Sequence, residues 1–424
     1  MQIFSPRKDQ FSSFHQGRYK RSLDNMDDYG KNTLLQPIYC SGSGFSYSDA
    51  ELHALMESVE RYSNMTIDKS SLLYASFKDT TNEVVNPKDL ILYSEKQYQR
   101  SGFKYSRFSN ESVIPWVYGY DLFNGKRVLI PADFVYYPPM RENPLVQETS
   151  NGAAAHINIV DAILNGLYEV VERDAFLIMW LSKISRPVVD ISNCYDIDSS
   201  FMELIKFINN SHGMEVKIVD LTNDVEIPVF LAACYNRNDR YPGLIVGLGC
   251  HFNPKTAIQK ALFEMELMLR EFLESPNKRN ISIKRISSPM DHGIFYFNPK
   301  MRKYWDFMIE GKKDDFYSIH GNSIIEYTNN DTRESNRLLT KIVKSSHTMN
   351  HRVLYVDITP ADICRMRVVV VKVFVTGLQP MYFGTNYQRL NLQRLYQVPL
   401  TLGYNQMRFP DAFPELNLAP HPLA

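Results

Sequence analysis

Two copies of the pattern Glu-x-x-Glu-Arg are the residues of this chain best suited to carry chemistry. They consist of Glu57, Glu60 and Arg61, and of Glu169, Glu172 and Arg173. Glutamates three positions apart lie on the same face of a helix. Two carboxylates one turn apart repel each other by about 1 kcal/mol in bulk water and by about 4 kcal/mol at an effective dielectric near 20. Each pair therefore needs a cation beside it, and the arginine supplies one positive charge.

A third helix adds Glu264 to this acidic set. Carboxylate oxygens without His or Cys favour Mg²⁺ over Zn²⁺, and Mg²⁺ usually completes its octahedron with water and nucleotide phosphates. We predict a metal site formed by Glu57, Glu60, Glu169, Glu172 and Glu264. A buried ion-pair network is the alternative. The sequence lacks the Gly-x-x-x-x-Gly-Lys-Ser/Thr loop and the dinucleotide fingerprint, so a nucleotide would be bound in an uncommon way.

Three predicted helices position these groups, over about 48–65, 160–181 and 254–273, the first with a cap at Ser48. In the first helix the large apolar residues and the carboxylates occupy opposite sides, so this helix by itself favours a solvent-facing acidic stripe. The second helix is apolar nearly all round, so its glutamates are expected to be buried.

Short apolar runs bounded by turn residues predict strands between these helices. The segment 113–137, for example, predicts two strands joined by a hairpin turn at 121–126. Helices and strands alternate without a fixed-period repeat or a low-complexity linker. We therefore predict an α+β fold that forms one composite domain.

Charge and composition exclude several classes of protein. The chain has 47 basic and 47 acidic residues, so bulk charge does not attract it to nucleic acid or to an anionic membrane. Five scattered cysteines without a Cys-x-x-Cys pair are typical of reduced thiols. The start lacks the apolar region of a signal peptide, and the apolar runs are too short to span a bilayer. We predict a cytoplasmic protein that binds neither nucleic acid nor membrane.

Six segments follow one another along the chain: SGSGFSYSDAELHALMESVERY, TSNGAAAHINIVDAILNGLYEVVERDAF, GLGCHFNPKTAIQKALFEMEL, VDITPADI, VVVVKVFVTGLQPMYFG and PHPLA. Taken in this order, they resemble the YcaO-domain family. The resemblance implies a lead-in segment over 1–40 and a YcaO domain over 41–424 that encloses a Mg-ATP cleft. It implies that the five glutamates, with Arg61 and Arg173, bind ATP and Mg²⁺. Two positions depart from the family pattern: Ile157 precedes Asn158 where relatives often carry Asn, and Lys260 stands where Gln is expected.

The resemblance implies an ATP-dependent cyclodehydratase, which converts Cys, Ser or Thr of a ribosomally synthesised precursor peptide to thiazoline or oxazoline by phosphorylating the backbone amide oxygen. The tail, 415–424, ends Pro420-His-Pro422-Leu-Ala424 where the family pattern is Pro-x-Pro-x-Pro. This implies a catalytic role for the terminal carboxylate of Ala424, held by Pro420 and Pro422; a merely disordered terminus is the alternative. A thioamide- or amidine-forming YcaO enzyme and a non-catalytic scaffold of a peptide-maturation complex stay open.

The resemblance also implies partners. Relatives that work alone carry an extra N-terminal module that binds the leader peptide, and no such module is expected here because Gly42 already belongs to the family pattern. A leader-binding partner resembling the ubiquitin-activating-enzyme fold is expected instead, and an FMN-dependent azoline dehydrogenase could act afterwards. A homodimer, the identity of the precursor peptide and oxidation to azoles stay open.

Overall fold

The computed structural model describes residues 2–4, 15–20, 39–44, 46–137, 139–192, 199–238, 240–274, 280–321, 332–404 and 416–423. The helices in this part of the chain are α1 (Tyr47–Met65), α2 (Glu95–Tyr98), α3 (Ala132–Val135), α4 (Ile159–Leu181), α5 (Ser199–His212), α6 (Pro254–Glu274), α7 (Pro289–Phe297), α8 (Phe316–His320), α9 (Thr332–Thr348), α10 (Ala361–Cys364) and α11 (Leu392–Thr401). Short 3₁₀ helices cover Lys69–Ser71, Pro87–Leu90, Ile283–Arg285, Pro299–Tyr304 and Asp306–Ile309. None of the described helices has the length and apolar character needed to cross a membrane.

The strands are β1 (Gln2–Phe4), β2 (His15–Lys20), β3 (Tyr39–Gly44), β4 (Leu73–Ser76), β5 (Val113–Asp121), β6 (Arg127–Pro131), β7 (Ala153–His156), β8 (Val188–Asp190), β9 (Met214–Asp220), β10 (Val229–Asn236), β11 (Leu244–Cys250), β12 (Lys313–Asp315), β13 (Val353–Asp357) and β14 (Val369–Val375). The chain forms two compact units, Met1–Val170 with Asp331–Gly377, and Val171–Asn330 with Leu378–Ala424. The division falls inside α4.

The first unit contains two antiparallel sheets. The smaller has the order β1-β2-β3, and α1 packs against β2 and β3. The larger has the order β4-β5-β13-β14-β7, with β6 paired to β5 in the predicted hairpin. Branched apolar side chains of β5, β6 and β13 form its core; they are Val117, Val128, Ile130, Leu354 and Val356.

The second unit contains one sheet of order β11-β10-β9-β8-β12, antiparallel except for the parallel pair of β8 and β12. Helix α6 packs against β11 and β10. The C-terminal half of α4 is held by a buried ion-pair network, in which Arg394 Nε donates to Asp174 Oδ1 (2.6 Å) and Arg394 Nη2 donates to Asp224 Oδ1 (2.8 Å). Because these charges are paired, they are tolerated inside the unit.

The predicted α+β class is confirmed, and the three predicted helices correspond to α1, α4 and α6. The predicted cap at Ser48 is wrong, since Ser46 is the residue that caps α1. Its Oγ accepts from the Asp49 backbone N–H (3.1 Å) and donates to Asp49 Oδ2 (2.7 Å). Asp49 therefore takes the capping-box position that the sequence pattern gave to Glu51.

Candidate functional site

Close packing of α1 on β3 turns the acidic face of this helix into the first unit. A Cβ atom at Gly42 would lie 2.2 Å from the carbonyl oxygen of Ala50 and 2.3 Å from the backbone nitrogen of Ala54. Both alanines are buried, whereas Leu52 and Leu55 are exposed. The expectation of a solvent-facing acidic stripe is therefore wrong, because the small side chains, and not the large apolar ones, permit close contact with the sheet.

Glu57 is held through both of its carboxylate oxygens. The backbone N–H of Ser41 donates to Oε2 (2.6 Å), and Arg61 donates to Oε1 through Nε (3.0 Å) and Nη2 (2.8 Å). Charge-assisted hydrogen bonds of this kind fix the direction of the guanidinium group. Glu57 therefore orients Arg61, and its Oε2 retains one lone pair for a further ligand.

Glu60 lies one turn from Glu57 and near Glu169. Burial raises the pKa of Glu60 well above its ordinary value, and the negative charge of Glu169 raises it further, whereas Arg61 and Lys372 act in the opposite direction. No described residue donates a hydrogen bond to the Glu60 carboxylate. A bound cation would stabilise the charged form of this group.

Glu169 and Lys372 are further charged residues near Glu60 in the first unit. The Gly152 backbone N–H donates to Glu169 Oε2 (2.9 Å), and Lys372 Nζ donates to the carbonyl oxygen of Thr149 (2.5 Å). Lys372 is fully buried on β14. It was not predicted from the sequence, although a single lysine in the apolar run 368–375 was a signal, because a buried lysine requires a partner.

Helix α6 of the second unit is packed in the same way as α1. A Cβ atom at Gly249 would lie 2.0 Å from the carbonyl oxygen of Ala257 and 2.6 Å from the backbone nitrogen of Ala261. The Leu248 backbone N–H donates to Glu264 Oε2 (2.5 Å). Glycine, two alanines and glutamate follow each other at the same spacing here as in the first unit. Each unit therefore holds one helix glutamate against a strand N–H.

Arg173 brings the remaining predicted residues of the second unit together. Its Nη2 lies 3.5 Å from Glu172 Oε1 and 3.5 Å from Glu264 Oε1. The side chains of Glu172 and Arg173 are 10% and 15% exposed, so this ion pair is only weakly screened by water. The prediction that the glutamates of α4 are buried is confirmed for Glu172, while Glu169 is partly buried.

Lys260 adds a second positive charge near this group. Burial raises the pKa of the Cys250 thiol well above its ordinary value; the charge of Glu172 adds to this effect and that of Lys260 opposes it. Burial also lowers the pKa of His251 to about 3, and Lys260 acts in the same direction. The Gln expected at position 260 is thus replaced by a cation close to Cys250 and His251, whereas Ile157, at the other departure from the family pattern, is exposed.

The end of the chain lies inside the second unit. Pro420, His421, Pro422 and Leu423 are all buried, so a merely disordered terminus does not describe residues 416–423. The predicted catalytic carboxylate of Ala424 lies outside the described residues. His421 carries a pKa well below its ordinary value because of burial first, then His292, and Arg173 acts in the same direction. The tail therefore runs near the arginine that binds Glu172 and Glu264.

The residues present fit Mg²⁺ bound together with a nucleotide rather than by protein alone. Among the described residues, no group of three or more His, Cys, Asp or Glu side chains is placed to hold a metal ion. Mg²⁺ in nucleotide sites is commonly held by one or two carboxylates plus substrate phosphates. Glu60, which lacks a hydrogen-bond donor among the described residues and carries a raised pKa, is the carboxylate whose surroundings fit this role most directly.

Several known proteins are similar to this chain. An uncharacterized protein of Methanothermobacter thermautotrophicus is 30% identical over 230 residues, which are 53% of this chain and 55% of that protein. A heterocyclase in complex with substrate and cofactor has 23% identity and a TM-score of 0.74, over 96% of this chain and 53% of that one. The chain thus spans about half the length of the first curated relative and of this heterocyclase.

Two further solved structures share the fold. YcaO from Methanopyrus kandleri bound with AMPPCP and Mg²⁺ has 19% identity and a TM-score of 0.64, over 89% of this chain and 86% of that one. The E. coli microcin synthetase McbBCD complex with pro-MccB17 bound has 16% identity and a TM-score of 0.54, over 88% and 86%. At these identities the structures establish the fold alone.

The chain thus has the α+β fold of these solved structures. Residues 41–379 match the family described as YcaO cyclodehydratase, ATP- and Mg²⁺-binding. The chain belongs to the YcaO family. This match confirms the family and the cofactors ATP and Mg²⁺ that the sequence predicted.

Proposed function

We propose that this chain is an ATP-dependent cyclodehydratase that converts Cys, Ser or Thr of a ribosomally synthesised precursor peptide to thiazoline or oxazoline. The observation that supports this most is the set of buried and half-buried glutamates on α1, α4 and α6 in a chain of the YcaO family. Carboxylates are costly in these places unless cations or hydrogen-bond donors offset their charge, and bound Mg²⁺ would supply such a cation.

The proposed reaction activates an amide for loss of its oxygen. The side-chain thiol or hydroxyl attacks the preceding backbone carbonyl carbon, and a base accepts its proton. The amide oxygen then takes the γ-phosphoryl group of ATP, which releases ADP. Phosphate leaves with that oxygen as the nitrogen loses its proton and the C=N bond forms. Phosphate is a far better leaving group than hydroxide. Mg²⁺, when bound, neutralises charge on the phosphoryl oxygens.

In this proposal the glutamates and arginines of α1, α4 and α6 described above bind Mg-ATP. The carboxylates assigned to Mg²⁺ are Glu57, Glu60, Glu169, Glu172 and Glu264. Arg61 and Arg173, each fixed by a glutamate, are assigned to the phosphates, since guanidinium groups match the geometry of phosphate oxygens.

The proposed base is the terminal carboxylate of Ala424. The buried Pro420 and Pro422 support this assignment because they hold the preceding segment in the second unit. His421 does not compete for the role, since it is fully buried and its pKa is lowered by burial. A base must reach the attacking group and accept a proton near neutral pH.

The substrate and the partners are part of the proposal. A heterocyclase with substrate and a microcin synthetase complex with pro-MccB17 share the fold, which supports a precursor peptide and partner proteins for this chain as well. A leader-binding partner resembling the ubiquitin-activating-enzyme fold is proposed to bring the peptide, and an FMN-dependent dehydrogenase to act after it.

Substitution of the acidic residues tests the proposal. Glu60→Gln and Glu169→Gln should lower ATP consumption by about 10- to 100-fold, in the range seen when metal sites lose a supporting group. Glu203→Gln, at an exposed position of α5, is the matched control and should retain wild-type turnover. Phosphate release with precursor peptide and partner present is the measurement. Wild-type turnover of both site variants would contradict the Mg-ATP assignment, whereas folding loss alone would favour a structural ion-pair network.

The product mass separates this function from the alternatives. Cyclodehydration removes one water per residue, whereas thioamide or amidine formation replaces the amide oxygen by sulfur or nitrogen. A non-catalytic scaffold leaves the peptide mass unchanged. Intact-mass measurement of the peptide after incubation with ATP therefore decides between the three.

A further inference from the structure

Three consecutive backbone carbonyls near the end of the chain each accept a hydrogen bond from an aromatic side chain. Trp180 Nε1 donates to the Ala419 oxygen (3.0 Å), the Tyr296 hydroxyl donates to the Pro420 oxygen, and His292 Nδ1 lies 2.7 Å from the His421 oxygen. All three donors are fully buried. They come from α4 and α7, so two separate helices hold one extended segment.

This arrangement suits the sequence of the segment. Proline has no backbone N–H, so Pro420 and Pro422 cannot donate, and carbonyl oxygens are the main groups by which the backbone can be held. Each donor meets a different residue, so a shift of the tail by one residue would change the partner of all three donors at once. The contacts therefore fix the position of the tail along its own axis.

The hydrogen bonds also define the protonation of His292. The Gly384 backbone N–H donates to its Nε2 (2.9 Å), so this nitrogen carries no proton and Nδ1 must donate to the His421 oxygen. The His421 ring stacks on His292 with centroids 4.1 Å apart, and its Nε2 lies 2.8 Å from the Tyr382 carbonyl oxygen. The ring nitrogen Nδ1 of His421 is buried without a hydrogen-bond partner among the described residues. Both rings are therefore neutral.

We propose that His292, together with Trp180 and Tyr296, positions the C-terminal segment for the reaction by clamping the carbonyls of residues 419–421. These three are positioning residues, since they contact the tail and not the substrate. The proposal rests on the proposed role of the terminal carboxylate as base. The clamp and that role are separable, because release of the tail can be measured without peptide substrate.

The experiment combines tail release with kinetics. Carboxypeptidase can remove the buried Leu423 only from a released tail, and intact-mass measurement follows its loss. His292→Phe, which keeps the ring but not the hydrogen bonds, should accelerate release by about tenfold or more, as expected for the loss of a hydrogen bond between buried groups. The same variant should lower kcat for azoline formation with an unchanged KM for ATP.

Three further variants complete the test. His292→Asn retains an N–H donor for the His421 oxygen and should restore slow release in part. Tyr296→Phe removes one hydroxyl with little change of shape and should act in the same direction as His292→Phe, which keeps the test available if the latter does not fold. His320→Gln, at a buried histidine of the same unit that bonds Asp220, controls for general loss of stability.

The outcomes distinguish the clamp from the proposed function. Slow release in both His292→Phe and Tyr296→Phe would overturn the clamp, as would equally fast release in His320→Gln. Fast release with normal kcat would leave the clamp in place as a structural element and would overturn both its positioning role and the terminal carboxylate as base. Fast release with a reduced kcat, restored in part by His292→Asn, is the result expected.

Discussion

At the scale of single residues, Glu60 differs from Glu57, Glu169 and Glu264 because no described residue donates a hydrogen bond to its carboxylate, although Arg61 and Lys372 partly offset its charge. Glu57, Glu169 and Glu264 each accept a hydrogen bond from a strand N–H or from the backbone just before a strand, whereas Glu60 accepts none from a described residue. Its raised pKa reflects burial first and Glu169 second. The folded chain therefore carries an electrostatic cost at Glu60 that a bound cation would relieve.

This cost should be visible in the pH dependence of stability. A group whose pKa is raised on folding stabilises the folded chain below its unfolded pKa, and that contribution is lost as pH rises through the folded pKa. Glu60→Gln cannot ionise, so its unfolding free energy relative to wild type should rise as pH increases from the ordinary pKa of glutamate toward the raised folded pKa of Glu60, by at most about 1.4 kcal/mol for each pH unit that separates the two. Urea titrations of both proteins without nucleotide measure the difference. A difference that does not change with pH would mean that Glu60 is not perturbed.

At the scale of helices and strands, glycine and alanine set the distance between each acidic helix and its sheet. At Gly42 and Gly249 the helix backbone lies where a Cβ atom would be. The helix then comes close enough for a strand N–H to reach a glutamate of its third turn or beyond. The position of the carboxylate thus depends on glycine and alanine, which have no functional group in their side chains.

Gly249→Ala should therefore displace α6 and with it Glu264. Overlap with Ala257 and Ala261 should cost about 1–3 kcal/mol, in the range of overpacked sites, and should reduce ATP consumption. The control is Gly125→Ala in the hairpin turn, where a Cβ atom would meet no atom within 4 Å but the backbone has φ +68°. It should destabilise the chain by about 1–2 kcal/mol without altering turnover. Thermal unfolding and phosphate release are compared; equal turnover of both variants would show that helix position does not matter.

The sequence predicted the positions of the helices better than the side of each helix that is buried. Caps, prolines and helical periodicity located α1, α4 and α6 within a few residues, because these are local signals. The buried side of α1 was missed, since a periodicity of large apolar residues cannot reveal packing through Ala50 and Ala54. His292 and Lys372 were missed for a related reason: their partners lie far away in the chain, and only the fold brings them together.

At the scale of the whole molecule, the chain matches the YcaO family over 41–379 but spans about half of the first curated relative and of the heterocyclase with bound substrate. The remaining length of those proteins is not matched by this sequence. In the proposed reaction, binding of the leader peptide is assigned to a partner protein.

Activity should accordingly depend on added components. The purified chain should release phosphate from ATP slowly or not at all until a leader-bearing peptide and its leader-binding partner are both present. Omission of each component in turn, with phosphate release and peptide mass as readouts, checks this expectation. Full activity of the isolated chain on a leaderless peptide would contradict it.

The spacing shared by α1 and α6 limits where this chain can change in length. Glycine precedes the two alanines and the glutamate by the same intervals in Gly42, Ala50, Ala54, Glu57 and in Gly249, Ala257, Ala261, Glu264. One inserted residue between strand and helix would rotate the helix face by about 100°, turning both alanines and the carboxylate away from the strand together. Insertions and deletions are therefore excluded from these two short connections, and the pattern Gly-x₇-Ala-x₃-Ala-x₂-Glu becomes a signature by which distant sequences with the same strand–helix contact can be sought.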